Sequence, residues 1–540
     1  MTIGEKITHL RSVADMSQEE LADKLSVSRQ SVSKWEMDQA LPQIDKVLQL
    51  CTIFGVSADE LLYDKITISR AKPGEPVKNK YFGTDGFRGE ANMNLTSMHA
   101  YKVGRFLGWY YSSALSGCKN VGYRPKIVIG KDTRRSSYML EYSIAAGITA
   151  SGADAYMLHV TTTPSVSFVT RQDEFDCGIM ITASHNPFYD NGIKVINRYG
   201  EKLDDDTTAL IEAYIDGNLG ALGVQGDDLP FAHREKIGCI IDYSSGRNRY
   251  LGYLISLASN SYKHLRIGLD CANGASWMIA KAVFDALGAQ TMIVGNEPNG
   301  LNVNTNCGST HIENLCKFVK ENHLDLGFAF DGDADRCIAV DENGKEVDGD
   351  CIMYVLANRL KSRGMLNGNT VVATVMSNSG FFASLKKVGI DCVQTKVGDR
   401  FVYECMQDKD YSIGGEQSGH IILKKYATTG DGILTAIMLT EEVCDRKLSL
   451  GKLTEPVMLY PQYVKNVRVK DKNAVMNDAE VLKEVENVEK LINGEGRALL
   501  RKSGTEPVIR IMIESTTKEL CEKYAEMVAK VIKERGHIVE

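Results

Sequence analysis

No apolar run in this 540-residue chain approaches the ~20 residues that a membrane-spanning helix needs, which excludes a helical membrane protein. The opening segment MTIGEKITHLRSVADMSQEE carries charges every few positions and has no apolar core for a secretory signal, so a cytoplasmic location is expected. CxxC pairs are missing as well. Thirteen cysteines, an odd number without paired spacing, argue against both a disulfide framework and a structural zinc site, and are expected to be reduced, mostly buried, small apolar residues. Positive charge is not in excess either: the net charge is -7, so any attraction to a polyanion must come from a local patch. What remains is ordinary globular composition, 43% hydrophobic and 25% charged, in a chain too long for one core. Roughly three to five domains are expected.

Residues 4–62 read as short helices with polar breaks and almost no strand pattern. Ser17 ahead of Gln18, Glu19 and Glu20 is a strong helix N-cap, and Ser28 opens RQSVSKWE in the same way after a short turn. The following ITISRAKPGEPVKNK, with two prolines and a glycine among basic residues, is a linker. From Tyr81 the pattern changes to apolar strands alternating with amphipathic helices, and one unit recurs three times: IVIGKDT to SGADAYML, IGLDCANG to LGAQTMIV, VVATVMSNSG to VGIDCVQT. Gly152, Gly288 and Gly389 suit the helix C-termini of these units. The fold expected is therefore α/β. A small all-α domain at 1–66 and a linker at 67–79 lead into three similar α/β domains at 80–232, 233–340 and 341–450, then an α+β domain at 451–540.

Four constellations can carry chemistry. In ITASHNPFYDNGIK, 181–194, an apolar strand ends in small residues, leaving Ser184 exposed at a strand end. Taken alone it is a turn serine like many others. In LGFAFDGDADRC a buried strand delivers Asp331, Asp333 and Asp335 into one loop; three carboxylates so close repel unless a cation holds them, and magnesium is favoured where phosphate completes the shell. The competing readings are a solvated acidic turn and an EF-hand. Glu342 does fall at loop position 12, but Arg336 occupies position 6, where glycine is required. In GGEQSGH, 414–420, Glu416 and Ser418 alternate among small residues and could share one cavity; by default the stretch is a glycine-rich turn. In RKSGTEPVIRI, 501–511, Arg501, Ser503, Gly504 and Thr505 form a short loop of donors with Arg510 returning on the next strand, which suits a phosphate monoester.

Taken together and in order, YFGTDGFRG, TASHNP, DGDADR, GEQSGH and RKSGTEP make the chain from about Tyr81 onward resemble the α-D-phosphohexomutases. Within that family GEQSGH, with DCANGA, CGSTH, TKVGDR and TTGDG, is most similar to the phosphoglucosamine mutase branch, with the phosphoglucomutase and phosphomannomutase branches as the alternative. The resemblance implies domains around a central cleft, a phosphoryl group carried on Ser184, and a hexose bisphosphate as primer and intermediate. It implies Mg2+ held by Asp331, Asp333 and Asp335 together with phospho-Ser184, and Arg336 on the transferring phosphate. Arg88 and Lys194 would lie beside Ser184, with Lys194 or His185 assisting proton transfer. Glu416 and Ser418 would hold the sugar, His420 would complete the pocket, and Arg501, Ser503, Gly504, Thr505 and Arg510 would grip the non-reacting phosphate.

Residues 7–62 resemble the Cro and phage-repressor type of helix-turn-helix, with SQEELADKLSVSRQSVSKWE as its two-helix core. This implies double-stranded DNA as a partner, with Gln18, Ser28, Gln30 and Ser31 reaching bases or phosphates and Leu21, Val27, Val32 and Trp35 packing inside. Against it, residues 1–66 hold seven Lys and Arg and eleven Asp and Glu, a net -4, so phosphate attraction is weak. Dimerisation or docking of a partner is the other use for such a module, and a homodimer is one option for the assembly. A sugar-phosphate-sensing transcription regulator is the competing function, but a sensor needs neither Ser184 nor three metal carboxylates.

Overall fold

Side-chain hydroxyls start the first helices of the chain, as the sequence predicts. In the computed structural model, which describes residues 2–14, 16–54, 56, 61, 80–115, 123–502 and 507–538, Ser17 accepts from the backbone N–H of Glu20, whose carboxylate returns to the Ser17 N–H. Ser28 caps Ser31 in the same manner. Each such cap is worth about 1 kcal/mol. The caps separate helices Gln18–Leu25 and Arg29–Glu36, joined through Ser26 in the left-handed conformation at φ 53°. Helices Ile3–Val13 and Ile44–Phe54 also belong to the module. Leu21, Val32 and Trp35 are buried in its core, with Val27 packed against it half-buried. The linker assigned to 67–79 lies outside the described residues.

The described residues fall into two compact units, one from Met1–Gly83 with Asp204–Phe231, the other from Thr84–Leu203 with Ala232–Glu540. In the first, helix Asp205–Ile215 presents Glu212, whose carboxylate accepts the backbone N–H groups of Lys80, Tyr81 and Phe82 at 2.6–2.8 Å.

The second unit holds four sheets. In the first, strands run Gly86–Glu90, Asp190–Asn197, Cys177–Ile181, Lys126–Lys131, Asp154–Val160, Ile240–Asp242, parallel around Lys126–Lys131 and antiparallel at the Asp190–Asn197 side. The second runs Glu346–Val347, Cys337–Val340, Leu326–Phe330, Arg266–Asp270, Gln290–Val294, and the third Asp391–Thr395, Thr370–Thr374, Ile413–Gly415, Ile421–Leu423. The fourth is antiparallel, Gln462–Arg468, Val508–Glu514, Arg497–Lys502, packed on helices Ala479–Ile492 and Lys518–Glu534. Three parallel-cored sheets and one antiparallel sheet match the expected order. Helix-ending Gly152, Gly288 and Gly389 all take positive φ. Two edge strands cross the borders drawn from sequence: Ile240–Asp242 joins the first sheet beyond 232, and Glu346–Val347 the second beyond 340. Short edge strands lie too close to loop composition to be assigned by pattern. Among the described residues every cysteine is free, and no helix is long and apolar enough to cross a membrane.

Candidate active site

The metal-loop aspartates leave a strand, Leu326–Phe330, that is buried along its whole length. Phe328 and Phe330 are fully buried, each contributing about 1.5–3 kcal/mol, which anchors a loop that could not otherwise bear three carboxylates. The chain returns antiparallel with Phe330 opposite Cys337. This strand-loop-strand hairpin excludes the helix-flanked EF-hand, and Glu342 is turned to Ser449 and Gly451 instead.

Asp331, Asp333 and Asp335 are buried, with carboxylate oxygens within 4.8 Å of one another. Lys194 reaches Asp333 at 2.7 Å and Asp335 at 2.9 Å. One oxygen of Asp333 and one of Asp335 are nevertheless buried without a hydrogen-bond partner. Burial, then Asp335 and Asp333, push the Asp331 carboxyl well above the usual carboxylate range. Burial also raises Asp335, but Lys194 and then His420 outweigh it and hold that group well below. Burial lowers Lys194 while Asp333 and Asp335 more than restore it, so it stays charged. The cluster is short of positive charge and has unpaired acceptors, which suits a hard divalent cation.

Ser184 donates its hydroxyl to Asp331 and lies 3.4 Å from His185 Nδ1. It is not exposed at the strand end, as the sequence suggests, but 1% accessible. The second sheet covers it: Gly332 packs so close that a Cβ there would stand 2.5 Å from the Ser184 carbonyl oxygen. Ser184 also takes φ 52°, a strained value for a residue with a side chain. Burial, then Arg336 and Arg88, push His185 down to about 4, leaving it neutral.

Around this pair the remaining residues divide. Arg88 reaches Asn186 Oδ1 at 3.4 Å and Asp85 at 3.4 Å, and its Nε is unpartnered. Arg336 donates its backbone N–H to Asp331 and has a buried, unpartnered Nε. Burial lowers Arg336, but Asp331, Asp335 and Glu416 outweigh it. His420 lies between Asp335 at 3.7 Å and Asp399 at 3.5 Å, and accepts the Gly430 N–H on Nε2. Glu416 accepts the Gly398 N–H at 2.9 Å, while Ser418 is exposed. Gly419, at φ 89°, brings this hairpin against the metal loop, donor Cys337 N–H to Gly419 O at 3.0 Å. Arg501 and Arg510 face each other across adjacent antiparallel strands, each with an unpartnered Nε. Burial and then Arg510 lower the Arg501 pKa. Two adjacent guanidinium groups of this kind make an anion site. Ser503, Gly504 and Thr505 lie outside the described residues.

Sequence reasoning missed the partners that assemble the site. Lys202 bridges Asp399 at 2.7 Å and Asp85 at 3.7 Å, joining TKVGDR to GTDGFRG. Asp132, Arg134 and Asn304 hold the serine loop. Polar residues emerging directly from an apolar strand, as in IVIGKDTR, were the available signal.

In the N-terminal module, Ser28 and Gln30 are exposed at the start of Arg29–Glu36, and Ser31 is half-buried with its hydroxyl 2.9 Å from that of Ser28. Gln18 Nε2 donates to Glu36 at 2.7 Å.

Family models match the chain in five segments. Residues 79–219, 248–344, 348–460 and 465–531 match phosphoglucomutase/phosphomannomutase alpha/beta/alpha domains I, II and III and the C-terminal domain, and residues 14–61 match a helix-turn-helix. The phosphoglucosamine mutase of Lachnospira eligens is 58% identical over 460 residues, 85% of this chain and all of the relative. That of Bacillus subtilis is 46% identical over 454 residues, 84% of this chain and 98% of the relative. Among solved structures, a phosphoglucomutase/phosphomannomutase family protein of Burkholderia thailandensis shares the fold at TM-score 0.68 and 21% identity, over 85% of this chain and 98% of that one. Aspergillus fumigatus N-acetylphosphoglucosamine mutase, solved with GlcNAc-6P and magnesium, shares it at TM-score 0.60 and 17% identity, over 86% and 97%. The chain belongs to the phosphoglucomutase/phosphomannomutase family and carries a helix-turn-helix module ahead of the four family domains.

Proposed function

We propose that this chain interconverts glucosamine 6-phosphate and glucosamine 1-phosphate through a phosphoserine at Ser184, as a phosphoglucosamine mutase. The observation that carries the proposal is the Ser184 hydroxyl directed at a buried, under-neutralised triad of aspartates, in a chain 58% identical to a phosphoglucosamine mutase.

In the forward direction the sugar 1-hydroxyl attacks the phosphorus of phospho-Ser184. The new O–P bond forms as the Oγ–P bond breaks, giving glucosamine 1,6-bisphosphate, and the hydroxyl proton ends on Ser184 Oγ. His185, neutral and 3.4 Å from Oγ, is the group suited to pass it. Lys194, charged and bound to two aspartates, serves as a fixed cation. After the bisphosphate turns over, Ser184 Oγ attacks the 6-phosphate, the O6–P bond breaks, and O6 takes the proton. Asp331, Asp333 and Asp335, with phospho-Ser184, would hold Mg2+, which supplies charge neutralisation on the transferring group. Arg88 and Arg336 face the same phosphate, Glu416, Ser418 and His420 hold the sugar, and Arg501, Ser503, Gly504, Thr505 and Arg510 hold the other phosphate.

The domains are assigned as 1–66, 67–79, 80–232, 233–340, 341–450 and 451–540, with the edge strands arguing for moving two borders to just past Asp242 and Val347. Residues 1–66 are assigned to double-stranded DNA through Gln30, Ser28, Ser31 and Gln18. Their net charge predicts weak binding that is lost with added salt, read by fluorescence anisotropy of a labelled duplex.

The test is a mutase assay with magnesium and a bisphosphate primer on glucosamine, glucose and mannose 6-phosphates. Preferential turnover of the amino sugar, lost in Ser184→Ala, supports the proposal. Preference for glucose or mannose phosphate moves the chain to the other branches. No turnover by folded protein favours the sugar-phosphate sensor.

A further inference from the structure

The structure assigns Arg134 and Asn304 as positioning residues that set the geometry of Ser184, with Asp132 as the anchor of Arg134. This role rests on the phosphoserine reading above.

Arg134 is fully buried, and its guanidinium is spent almost wholly on the serine loop. Nη2 donates to the carbonyls of Ser184 and Asn186, both at 2.9 Å, while Nη1 donates to those of Pro187 and, at 2.9 Å, Asp190. Nε binds Asp132 Oδ2 at 2.7 Å. The same Asp132 oxygen accepts Thr182 Oγ1 at 2.9 Å, and Thr182 Oγ1 accepts the Ser184 N–H at 2.9 Å. Both backbone polar groups of Ser184 therefore lead back to one carboxylate. From a turn beyond strand Gln290–Val294, Asn304 Nδ2 donates to the Ser184 carbonyl at 2.8 Å and the Asn186 carbonyl at 3.2 Å. Two carbonyl partners fix the amide's orientation, since only its nitrogen can donate.

A buried guanidinium directed at four carbonyls is a poor choice for stability alone, because an apolar side chain of similar volume would escape its desolvation cost. Its arrangement makes sense as over-determination of a strained residue. Ser184 at φ 52° persists only while its surroundings hold it, and displacing a reacting oxygen by 1 Å costs about 100-fold in rate. The non-reacting phosphate is gripped elsewhere, so substrate affinity does not depend on the clamp.

The test uses the full chain with Asn304→Ala, Arg134→Lys and Arg134→Ala, each checked for folding by circular dichroism. Phosphoryl uptake on Ser184 from glucose 1,6-bisphosphate is followed by intact mass, beside kcat and KM. The expected result is slower uptake and lower kcat by about 100-fold in Arg134→Ala and about 10-fold in Asn304→Ala, with KM within a factor of three and partial rescue of Arg134→Ala by added guanidinium. Folded Asn304→Ala that takes up phosphoryl at the wild-type rate overturns the assignment, as does a loss confined to melting temperature. Wild type that takes up no phosphoryl group removes the phosphoserine reading, and this role with it.

Discussion

Two loops of this molecule leave largely buried strands carrying aspartate and arginine, and their charges end in opposite conditions. After Lys126–Lys131, Asp132 is matched by Arg134, Ser137 and Thr182. After Leu326–Phe330, two of the three aspartates, Asp333 and Asp335, share Lys194, and each still keeps a buried oxygen without a partner. The first arrangement is complete as it stands and acts by holding something else in place. The second is incomplete, and its deficit is what a cation and a phosphoryl group would fill. Completeness of hydrogen bonding, rather than the presence of buried charge, separates a support from a reaction site.

The largest effect that sharpens this contrast is on catalysis. Asp333→Asn is expected to lower kcat by on the order of 10²–10³-fold and weaken magnesium binding, read by turnover against metal concentration and by calorimetry. A stability comparison could break the contrast. Asp132→Asn strands the Arg134 charge and is expected to cost about 3–5 kcal/mol. Asp331→Asn, measured without divalent cations, removes a like-charge conflict and is expected to raise the melting temperature. If both substitutions destabilise alike, the distinction fails. A smaller effect belongs to the anion site. Arg501→Ala or Arg510→Ala is expected to raise KM by roughly 10- to 100-fold, the worth of a charged hydrogen bond, with kcat changing less.

Asp350 supplies an intermediate case. It is buried, accepts the Asn378 N–H, and keeps one oxygen unpartnered. Burial and then Asp348 push it up to about 8. The folded state therefore keeps a proton that the unfolded chain releases near its ordinary value of about 4. Between those values the unfolded state binds fewer protons, so stability falls as pH rises from about 4 to 8. Asp350→Asn is expected to flatten that slope in melting curves taken across the range.

What the sequence made legible was local. Ser17 and Ser28 cap the helices they were expected to cap, Asp331, Asp333 and Asp335 emerge together from a buried strand, and Arg501 and Arg510 fall opposite each other. What it hid was long-range. Arg134 finds Ser184 fifty positions away, Asn304 finds it 120 positions away, and Lys202 finds Asp399 at a separation of 197. No periodicity or spacing encodes such pairings. The burial of Ser184 escaped for the same reason, because the residues covering it arrive from the metal loop.

The most direct test of the account is a rapid-quench single turnover starting from enzyme labelled with phosphate on Ser184. The account predicts that label leaves Ser184 for glucosamine 6-phosphate at least as fast as steady-state turnover. Label that stays on the protein while product forms would contradict it.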